Sequence, residues 1–330
     1  MAYFNGQKVF QVAYFGPYIH SIGDNSAVLI TTDPDRENVS SGAFSVIGAG
    51  SRNVIGEKAS ESFVSGGLNV QNGQDGFMFG YRGLSEANQS LTGGYRCTNK
   101  ASESIQVGER LTIDGTITQD EDGNPKSNSR YNAQFGQNST MGVGTLNCFM
   151  SGQGHTQGAW CKWDRVGGFG HSIGHHVECI DVDGYENVVE NYITDSTIRG
   201  YNQKARNRNG SSSNKKYDIY LFGHDCTNRD ANGTDHSNIY EFGKGLRPVE
   251  DDQTIVGAFN AGTNHCWFEV GCGNSNSDRK TAFAVCQSGN DYWIEMDGKA
   301  VIPPAPASDG TYLLKLVIAD GAKTYSWETA

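Results

Sequence analysis

The chain lacks the sequence features of several large protein classes. It contains no run of 18 or more apolar residues, so no segment predicts a membrane-spanning helix. Its first ten residues do not show the charged-then-apolar order of a signal peptide. Prolines are few, at seven of 330 residues, and the glycines follow no three-residue period, which excludes collagen.

Motifs of common catalytic and nucleotide-binding classes are also missing. No glycine-rich loop precedes a Lys-Ser or Lys-Thr pair, and neither a serine elbow nor a cysteine-nucleophile motif is present. The eight cysteines form no CxxC pair. We interpret them as reduced, small core residues of a protein made in the cytosol, without a disulfide framework. The sequence predicts no cofactor.

Positive charge is scarce as well, because 26 basic residues face 37 acidic ones and the net charge is -11. This balance argues against a nucleic-acid groove as the main activity. One basic segment, Lys204, Arg206, Arg208, Lys215 and Lys216, is rich in Asn, Ser and Gly. It predicts a solvated loop.

Glycine, in contrast, is abundant and periodic, with 43 in the chain. In one set of glycines the spacing is 14 residues, or twice 14, as far as Gly136, then 16 residues as far as Gly200, and again 14 residues from Gly243. The set is Gly66, Gly80, Gly94, Gly108, Gly136, Gly152, Gly168, Gly184, Gly200, Gly243, Gly257 and Gly271. Apolar residues precede several of these glycines by three positions, and Ala-x-x-Ser precedes some of those apolar residues. These aligned columns indicate a repeat.

This period fits one coil made of two short strands and two turns. Apolar positions step by two, as in Phe77 and Phe79 or Ile105 and Val107, which places them on one face of a strand. A glycine after each strand permits the positive φ of a tight turn. The sequence therefore predicts an all-β solenoid, or β-roll, of 14–16-residue coils.

A coil of this composition has a narrow interior that buries few apolar side chains. Ordering the backbone costs roughly 1–2 kcal/mol per residue, so a single column of coils should be marginally stable. Three chains around a shared axis would bury a second face. We therefore expect an elongated homotrimer.

The run Phe77-Met78-Phe79-Gly80, Leu91-Thr92-Gly93-Gly94, Ile105-Gln106-Val107-Gly108, with Ala-x-x-Ser between, resembles the β-roll of YadA-type trimeric adhesin heads. The resemblance implies a homotrimer of stacked coils without catalysis, and it covers about residues 41–200. The chain departs from that family in its 16-residue turns, in a polar insert from Asp114 to Asn132, and in lacking an obvious coiled-coil stalk.

Two later segments resemble bacteriophage fibre and tail appendage proteins. One contains Ile255 to Asn260, Phe268 to Gly273 and Arg279 to Val285, and Cys272 and Cys286 are separated by one repeat period in the same register. The other is the closing string from Asp309 to Trp327. The resemblance implies a β-rich virion appendage.

Four regions follow from these patterns. Residues 1–40 are predicted to form a cap or a virion-attachment segment, and residues 41–200 are predicted to form the β-roll. Residues 201–300 predict a second β-rich repeat region. Residues 301–330 predict a stiff linker around Pro303, Pro304 and Pro306, followed by a β-hairpin.

Candidate sites are few, and each has a structural alternative. His155, His171, His175 and His176 cluster by repeat position and are weak metal candidates. Polar surface or turn histidines are the favoured interpretation, because no ligand-spaced cysteine or carboxylate set accompanies them. Exposed aromatic rings stack on sugars. The candidates for glycan or receptor binding are Trp160, Trp163, Tyr185, Tyr192, Trp293 and, more weakly, Trp267, with core or interface packing as the alternative.

Carboxylates raise the possibility of a tailspike glycosidase. Asp181, Asp183, Glu186 and Glu190 form one group, and Asp225, Asp235 and His236 form another. Solvated turn residues are the alternative that the composition favours. The sequence thus favours a non-enzymatic phage fibre or spike, located in the virion, that joins other virion proteins through its N-terminal segment and binds a host-surface glycan. A polysaccharide-cleaving tailspike and a head fibre or decoration protein are the alternatives.

Overall fold

The computed structural model is all-β, with no helix in the residues that it describes. The described backbone comprises residues 2–4, 7–9, 20–21, 27–28, 38–86, 88–119, 125–289, 291–296, 299–300, 312–319 and 322–329. The chain forms two compact units, Met1–Glu178 and Cys179–Ala330, called unit 1 and unit 2.

The strands of unit 1 are short, and most come in pairs of one longer and one two-residue strand. They are β1 (Ala2–Phe4), β2 (Gln7–Val9), β3 (His20–Ser21), β4 (Ala27–Val28), β5 (Val39–Ser40), β6 (Val46–Ser51), β7 (Val54–Ile55), β8 (Phe63–Gly67), β9 (Val70–Gln71), β10 (Phe77–Tyr81), β11 (Leu84–Ser85), β12 (Leu91–Tyr95), β13 (Thr98–Asn99), β14 (Ile105–Glu109), β15 (Thr112–Ile113), β16 (Ile117–Gln119), β17 (Pro125–Ser127), β18 (Ala133–Gln137), β19 (Thr140–Met141), β20 (Phe149–Gln153), β21 (Thr156–Gln157), β22 (Arg165–Val166) and β23 (Ser172–Ile173).

Unit 2 has longer strands, the first of which starts at the last residue of unit 1. They are β24 (Glu178–Tyr185), β25 (Val188–Val189), β26 (Ile193–Tyr201), β27 (Lys204–Ala205), β28 (Lys216–Tyr217), β29 (Ile219–His224), β30 (Ile239–Lys244), β31 (Thr254–Ala258), β32 (Cys266–Cys272), β33 (Thr281–Ser288), β34 (Asp291–Met296), β35 (Lys299–Ala300), β36 (Tyr312–Ala319) and β37 (Ala322–Thr329).

In unit 1 the strands form two parallel sheets. The long-strand sheet contains β4, β6, β8, β10, β12, β14, β18, β20 and β22, and the short-strand sheet contains β3, β5, β7, β9, β11, β13, β15, β19, β21 and β23. Each coil gives one strand to each sheet, so the predicted all-β solenoid is confirmed. The repeated glycines are partners in register, as in Gly66↔Gly80↔Gly94.

The glycine column fixes the distance between successive coils. Gly94 has φ +110°, and a Cβ added there would lie 1.8 Å from the carbonyl oxygen of Gly108 in the next strand. Because that oxygen belongs to a paired backbone, it has no room to move away. Any side chain in this column would push the strands apart.

The interior between the sheets of unit 1 is largely polar and is organised as ladders. Asn38, Asn53 and Asn69 are buried, and each side-chain oxygen accepts a hydrogen bond from the backbone N–H one coil later, at 2.9, 3.2 and 2.8 Å. Their amide nitrogens also donate to glycine carbonyls, as from Asn69 to Gly80 at 3.0 Å. These three buried amides are therefore satisfied by the neighbouring coil, which makes each coil depend on the next.

Unit 2 begins with parallel pairing and then changes direction. β26, β29, β30, β31 and β32 pair in parallel, but β33 pairs antiparallel with β32, and β34 antiparallel with β33. The expected register between Cys272 and Cys286 is therefore wrong. The chain turns back between β32 and β33, where an antiparallel bridge joins Ser275 and Asp278, so Cys286 lies opposite Cys266.

The cysteines depart from the expectation in one disulfide pair and in Cys179 and Cys272, which are exposed rather than in the core. Cys266 and Cys286 form a disulfide, because antiparallel pairing makes them cross-strand neighbours. Four of the others, Cys97, Cys148, Cys161 and Cys226, are buried free thiols as predicted. Burial raises the pKa of the Cys148 thiol to about 12, so it stays protonated and acts as a small core residue.

The polar insert carries an antiparallel pair, β16 with β17. The predicted linker around Pro303, Pro304 and Pro306 lies outside the described residues, as does most of the predicted N-terminal segment 1–40. After the linker, β36 and β37 pair antiparallel. Within the described part of the chain, we find no helix long and apolar enough to cross a membrane.

Candidate functional site: an aromatic face with charged edges

The long-strand sheet of unit 1 turns its aromatic side chains outward. In β10 the buried residue is Met78, whereas its neighbours Phe77 and Phe79 are 45% and 37% exposed. In β14 the buried residue is Gln106, and Ile105 is 43% exposed. The apolar face that the sequence pattern indicates is therefore the outer face, and the single chain leaves it uncovered.

On this face the residues form columns because successive strands are in register. The residues three positions before the repeated glycine form one column, Phe63, Phe77, Leu91, Ile105, Ala133 and Phe149. The rings of Phe63 and Phe77 stack with centroids 5.0 Å apart, and those of Tyr81 and Tyr95 lie 6.0 Å apart. A contiguous apolar stripe of this kind is typical of an interaction surface.

Charged residues of opposite sign border the two sides of this stripe. Glu61, Asp75 and Glu103 each lie two residues before a strand of the sheet, and we call them the acidic edge. Arg82, Arg96 and Arg110 each directly follow a strand, and we call them the basic edge. All six are exposed and have positive φ, because the chain turns sharply at both ends of each strand.

Within the described part of the chain, the acidic edge has no salt-bridge partner. On the basic edge, Arg82 and Arg96 lie over the rings of Tyr81 and Tyr95 at 5.4 and 5.2 Å, and only Arg110 is within 4 Å of a carboxylate, that of Glu109. The apolar stripe therefore carries a mostly unpaired negative border on one side and a mostly unpaired positive border on the other.

This arrangement matches a second copy of the same chain in one orientation. If chains are related by rotation about an axis parallel to the direction in which the coils stack, the acidic edge of each chain meets the basic edge of its neighbour. An antiparallel pairing of the faces would bring like charges together instead, which costs several kcal/mol. The two charged edges are thus complementary to each other only in the parallel orientation.

The aromatic candidates from the sequence do not form one site. Trp160 and Trp163 are 45% and 57% exposed in turns of unit 1. In unit 2, Tyr185 stacks on Tyr201 at 5.3 Å, and Trp293 packs against the Cys266–Cys286 cluster and donates to Glu295. Tyr192 is half-buried, and Trp267 is exposed. Trp160 and Trp163 therefore remain the candidates for contact with a sugar in unit 1.

Two of the four candidate histidines belong to the interior ladder. His155 and His171 are buried, and their rings stack at 4.9 Å. The Nδ1 atom of His155 accepts from the backbone N–H of His171 at 3.2 Å, and its Nε2 atom donates to the Ser151 carbonyl at 2.9 Å. One neutral tautomer satisfies both contacts, so His155 occupies the ladder position that asparagine holds in earlier coils.

His175 is exposed and accepts a hydrogen bond from the backbone N–H of Ala159, while His176 is half-buried in a turn. No group of three or more potential metal ligands occurs among the described residues.

Stability should fall in mild acid because of His155. Burial lowers the pKa of the His155 imidazole, although hydrogen bonds to the Ser151 and Gly168 carbonyls act in the opposite direction. The unfolded chain binds this proton near pH 6.5, so the contribution is complete above that pH and is lost as the pH falls below it. We expect the denaturation midpoint of His155→Asn to change less between pH 7.5 and pH 5 than that of the wild type. His175→Asn should behave like the wild type, and equal slopes for all three proteins would contradict the ladder role.

The candidate carboxylates are mostly engaged with cations. Asp181 pairs with Arg199, and Glu190 pairs with Arg206 at 2.6 Å and with Arg229 at 3.5 Å. Asp183 accepts a hydrogen bond from its own neighbour, the backbone N–H of Gly184. In the second group, Asp235 pairs with Arg229, Asp225 lies within 2.9 Å of His224, and His236 is buried within 3.3 Å of Asp251. The first group lies within one coil, from β24 to just after β25, and ion pairs hold two of its members, Asp181 and Glu190.

The basic segment is only partly the solvated loop that its composition predicts. Lys204 and Lys216 lie in strands, and Arg206 is paired with Glu190, because the coil continues through this segment. Arg208 and Lys215 are exposed. Lys204 and Arg206 line a cavity of about 470 Å³ in unit 2, which sequence reasoning missed.

Sequence reasoning also missed the charged edges, although a signal for them exists. Arg82, Arg96 and Arg110 follow one another at the spacing of the repeated glycines, and Glu61, Asp75 and Glu103 keep the same phase. Charges that recur at the period of a repeat lie in one column of a solenoid.

No protein-family model matches the chain, and no curated protein matches it.

Proposed function

We propose that the chain is a homotrimeric fibre or spike protein of a bacteriophage virion that attaches the particle to a glycan on the host surface. The observation that carries the proposal is the outward aromatic stripe of unit 1 between edges of opposite charge. A single chain leaves this stripe exposed, and further copies arranged around an axis cover it.

Several features support the attachment role. The sequence resembles trimeric adhesin heads over residues 41–200 and phage appendage proteins after residue 255. In a trimer every turn loop is presented three times, so weak contacts of exposed rings such as Trp160 and Trp163 multiply into firm binding. Residues 1–40 would join the chain to other virion proteins.

Removing outward aromatic rings from the stripe, without changing the interior of the coil, tests the proposal. Phe77→Ser combined with Phe79→Ser removes two outward rings, each contributing roughly 1.5–3 kcal/mol when buried. We expect this variant to run as a folded monomer and to bind bacterial surface polysaccharide at least about a hundredfold more weakly than the wild type. The matched control for the oligomeric state alone is Trp160→Ser, which removes a ring of the same 45% exposure as Phe77 outside the stripe and should leave the oligomer intact.

Failure of the wild type to bind any bacterial surface polysaccharide would overturn the attachment role. Release of reducing ends that is lost in Asp181→Asn or Asp183→Asn would replace attachment by hydrolysis.

A further inference from the structure

The cavity of unit 2 lies across successive coils and has rigid walls. Asn202, Lys204 and Arg206 line it from one coil, and Asp225 and Thr227 from the next. The two coils are joined by a bridge between Lys204 and Thr227, whose hydroxyl donates to the Lys204 carbonyl at 2.8 Å. A volume of about 470 Å³ is within the range of small-ligand sites.

The loop that closes one side is held by its own contacts. Arg229 forms two hydrogen bonds to Asp235, one of them 2.9 Å from Nη2, and Asp235 is almost fully buried. Asp230 accepts hydrogen bonds from the backbone of Asn232 and Thr234 at 2.9 and 2.7 Å. The loop is therefore preorganised, and binding would not have to order it.

The cavity holds two cations without a carboxylate partner. Arg206 is paired with Glu190, and Arg229 with Asp235. Lys204 and Arg247, which also line the cavity, have no salt bridge within the described part of the chain. Two carboxylates, those of Asp225 and Asp230, line the cavity beside these cations. A ligand that carries both an acid group and hydroxyls can therefore bind to both kinds of side chain.

The remaining polar groups are those that bind hydroxyls. Asp225 already accepts from the Asn202 side chain, and its other oxygen is within 2.9 Å of His224, so the carboxylate is fixed in place with capacity to accept from a ligand. A carboxylate acceptor binds a sugar hydroxyl. The cavity is also much larger than a phosphate ion.

We infer that this cavity binds a sugar residue that carries a carboxylate, with Lys204 and Arg247 holding the acid group and Asp225 with Thr227 holding hydroxyls. The inference rests on the proposed attachment function and names the chemical class of its receptor, an acidic polysaccharide containing uronic acid.

The test is calorimetric binding to the full-length protein of three probes: an oligogalacturonide, the matching neutral galactose oligosaccharide, and inorganic phosphate. We expect the oligogalacturonide to bind, with affinity that falls as salt is raised, and the neutral sugar to bind at least about tenfold more weakly. Lys204→Gln and Arg247→Gln should each lower the oligogalacturonide affinity about tenfold. Arg208→Gln, which removes an exposed cation of the same segment outside the cavity, should have no effect.

Equal binding of the two sugars, unchanged affinity in both cavity variants, or binding of phosphate alone would overturn the inference. If a variant does not fold, the preference of the wild type between the acidic and the neutral sugar still decides whether the inference holds. All cavity residues belong to one unit of one chain, so binding is measurable even if the protein is a monomer. A monomer that binds the uronide would contradict the trimer alone, and a trimer that ignores the uronide but binds bacteria would contradict this inference alone.

Discussion

Reversing the charge of one edge is expected to dissociate the oligomer, and reversing both edges is expected to restore it. Replacing Arg82, Arg96 and Arg110 with Glu places an acidic edge on both sides of the aromatic stripe, so each subunit boundary brings together two rows of three like charges. Like charges across an interface cost several kcal/mol, so we expect the dissociation constant to rise at least about a hundredfold. The measurement is mass as a function of concentration by light scattering.

The chain with both edges exchanged gives the decisive comparison. It adds Glu61→Arg, Asp75→Arg and Glu103→Arg to the three Arg→Glu changes, so every boundary again joins opposite charges. We expect it to associate like the wild type. Mixing the two singly reversed proteins should not give a closed trimer, because two kinds of chain cannot alternate around a ring of three. They could alternate in a ring with an even number of chains.

The control must change net charge equally without touching the edges. Each Arg→Glu or Lys→Glu change lowers the net charge by two, so three of them take -11 to -17. Arg208→Glu, Lys215→Glu and Lys280→Glu do this at exposed positions of unit 2. If this control dissociates as readily as the edge variant, general repulsion explains the result and the edges have no specific role.

Gly94→Ala is expected to abolish the fold of unit 1. The new Cβ would lie 1.8 Å from the Gly108 oxygen, and φ at this position is +110°. A strained backbone conformation costs roughly 1–3 kcal/mol, and the overlap with a paired carbonyl adds to it. We expect a loss of at least about 4 kcal/mol, which exceeds the effect of most single substitutions. Denaturant unfolding followed by circular dichroism at a fixed protein concentration measures it.

Gly289→Ala separates the overlap from the backbone strain. Gly289 also has positive φ, at +61°, but a Cβ there meets nothing within 4 Å. We expect this control to cost about 1 kcal/mol, the strain of a left-handed alanine. Similar midpoints for the two variants would show that close stacking at the glycine column does not hold the coils in register.

The sequence predicts the coiled β architecture because its glycines repeat in phase with a two-residue apolar step. Which face of each strand points into the coil is harder to predict. Alternation places Phe77 and Phe79 on one side of a strand and Met78 on the other, but it does not say which side the coil encloses. The structure encloses Met78 together with buried Gln106. A polar interior of ladders violates the expectation that apolar residues lie inside, because the neighbouring coil supplies the hydrogen-bond partners.

The candidate site was predictable only in part. The exposed tryptophans were identified from composition. The acidic and basic edges can be found only by asking which charged residues recur at the period of the repeat. The cavity around Lys204 and Arg247 brings together residues from separate coils and a loop, which no local pattern indicates. The apparent register of Cys272 with Cys286 failed because spacing alone does not show that the chain reverses direction between them.

Association of the chains in parallel around a common axis is tested by the mass of the purified protein. Light scattering should give three times 35.7 kDa, unchanged on dilution and in mild denaturant. A mass of 35.7 kDa at all concentrations would show that the aromatic stripe stays uncovered in solution, and it would contradict the account of a trimeric fibre.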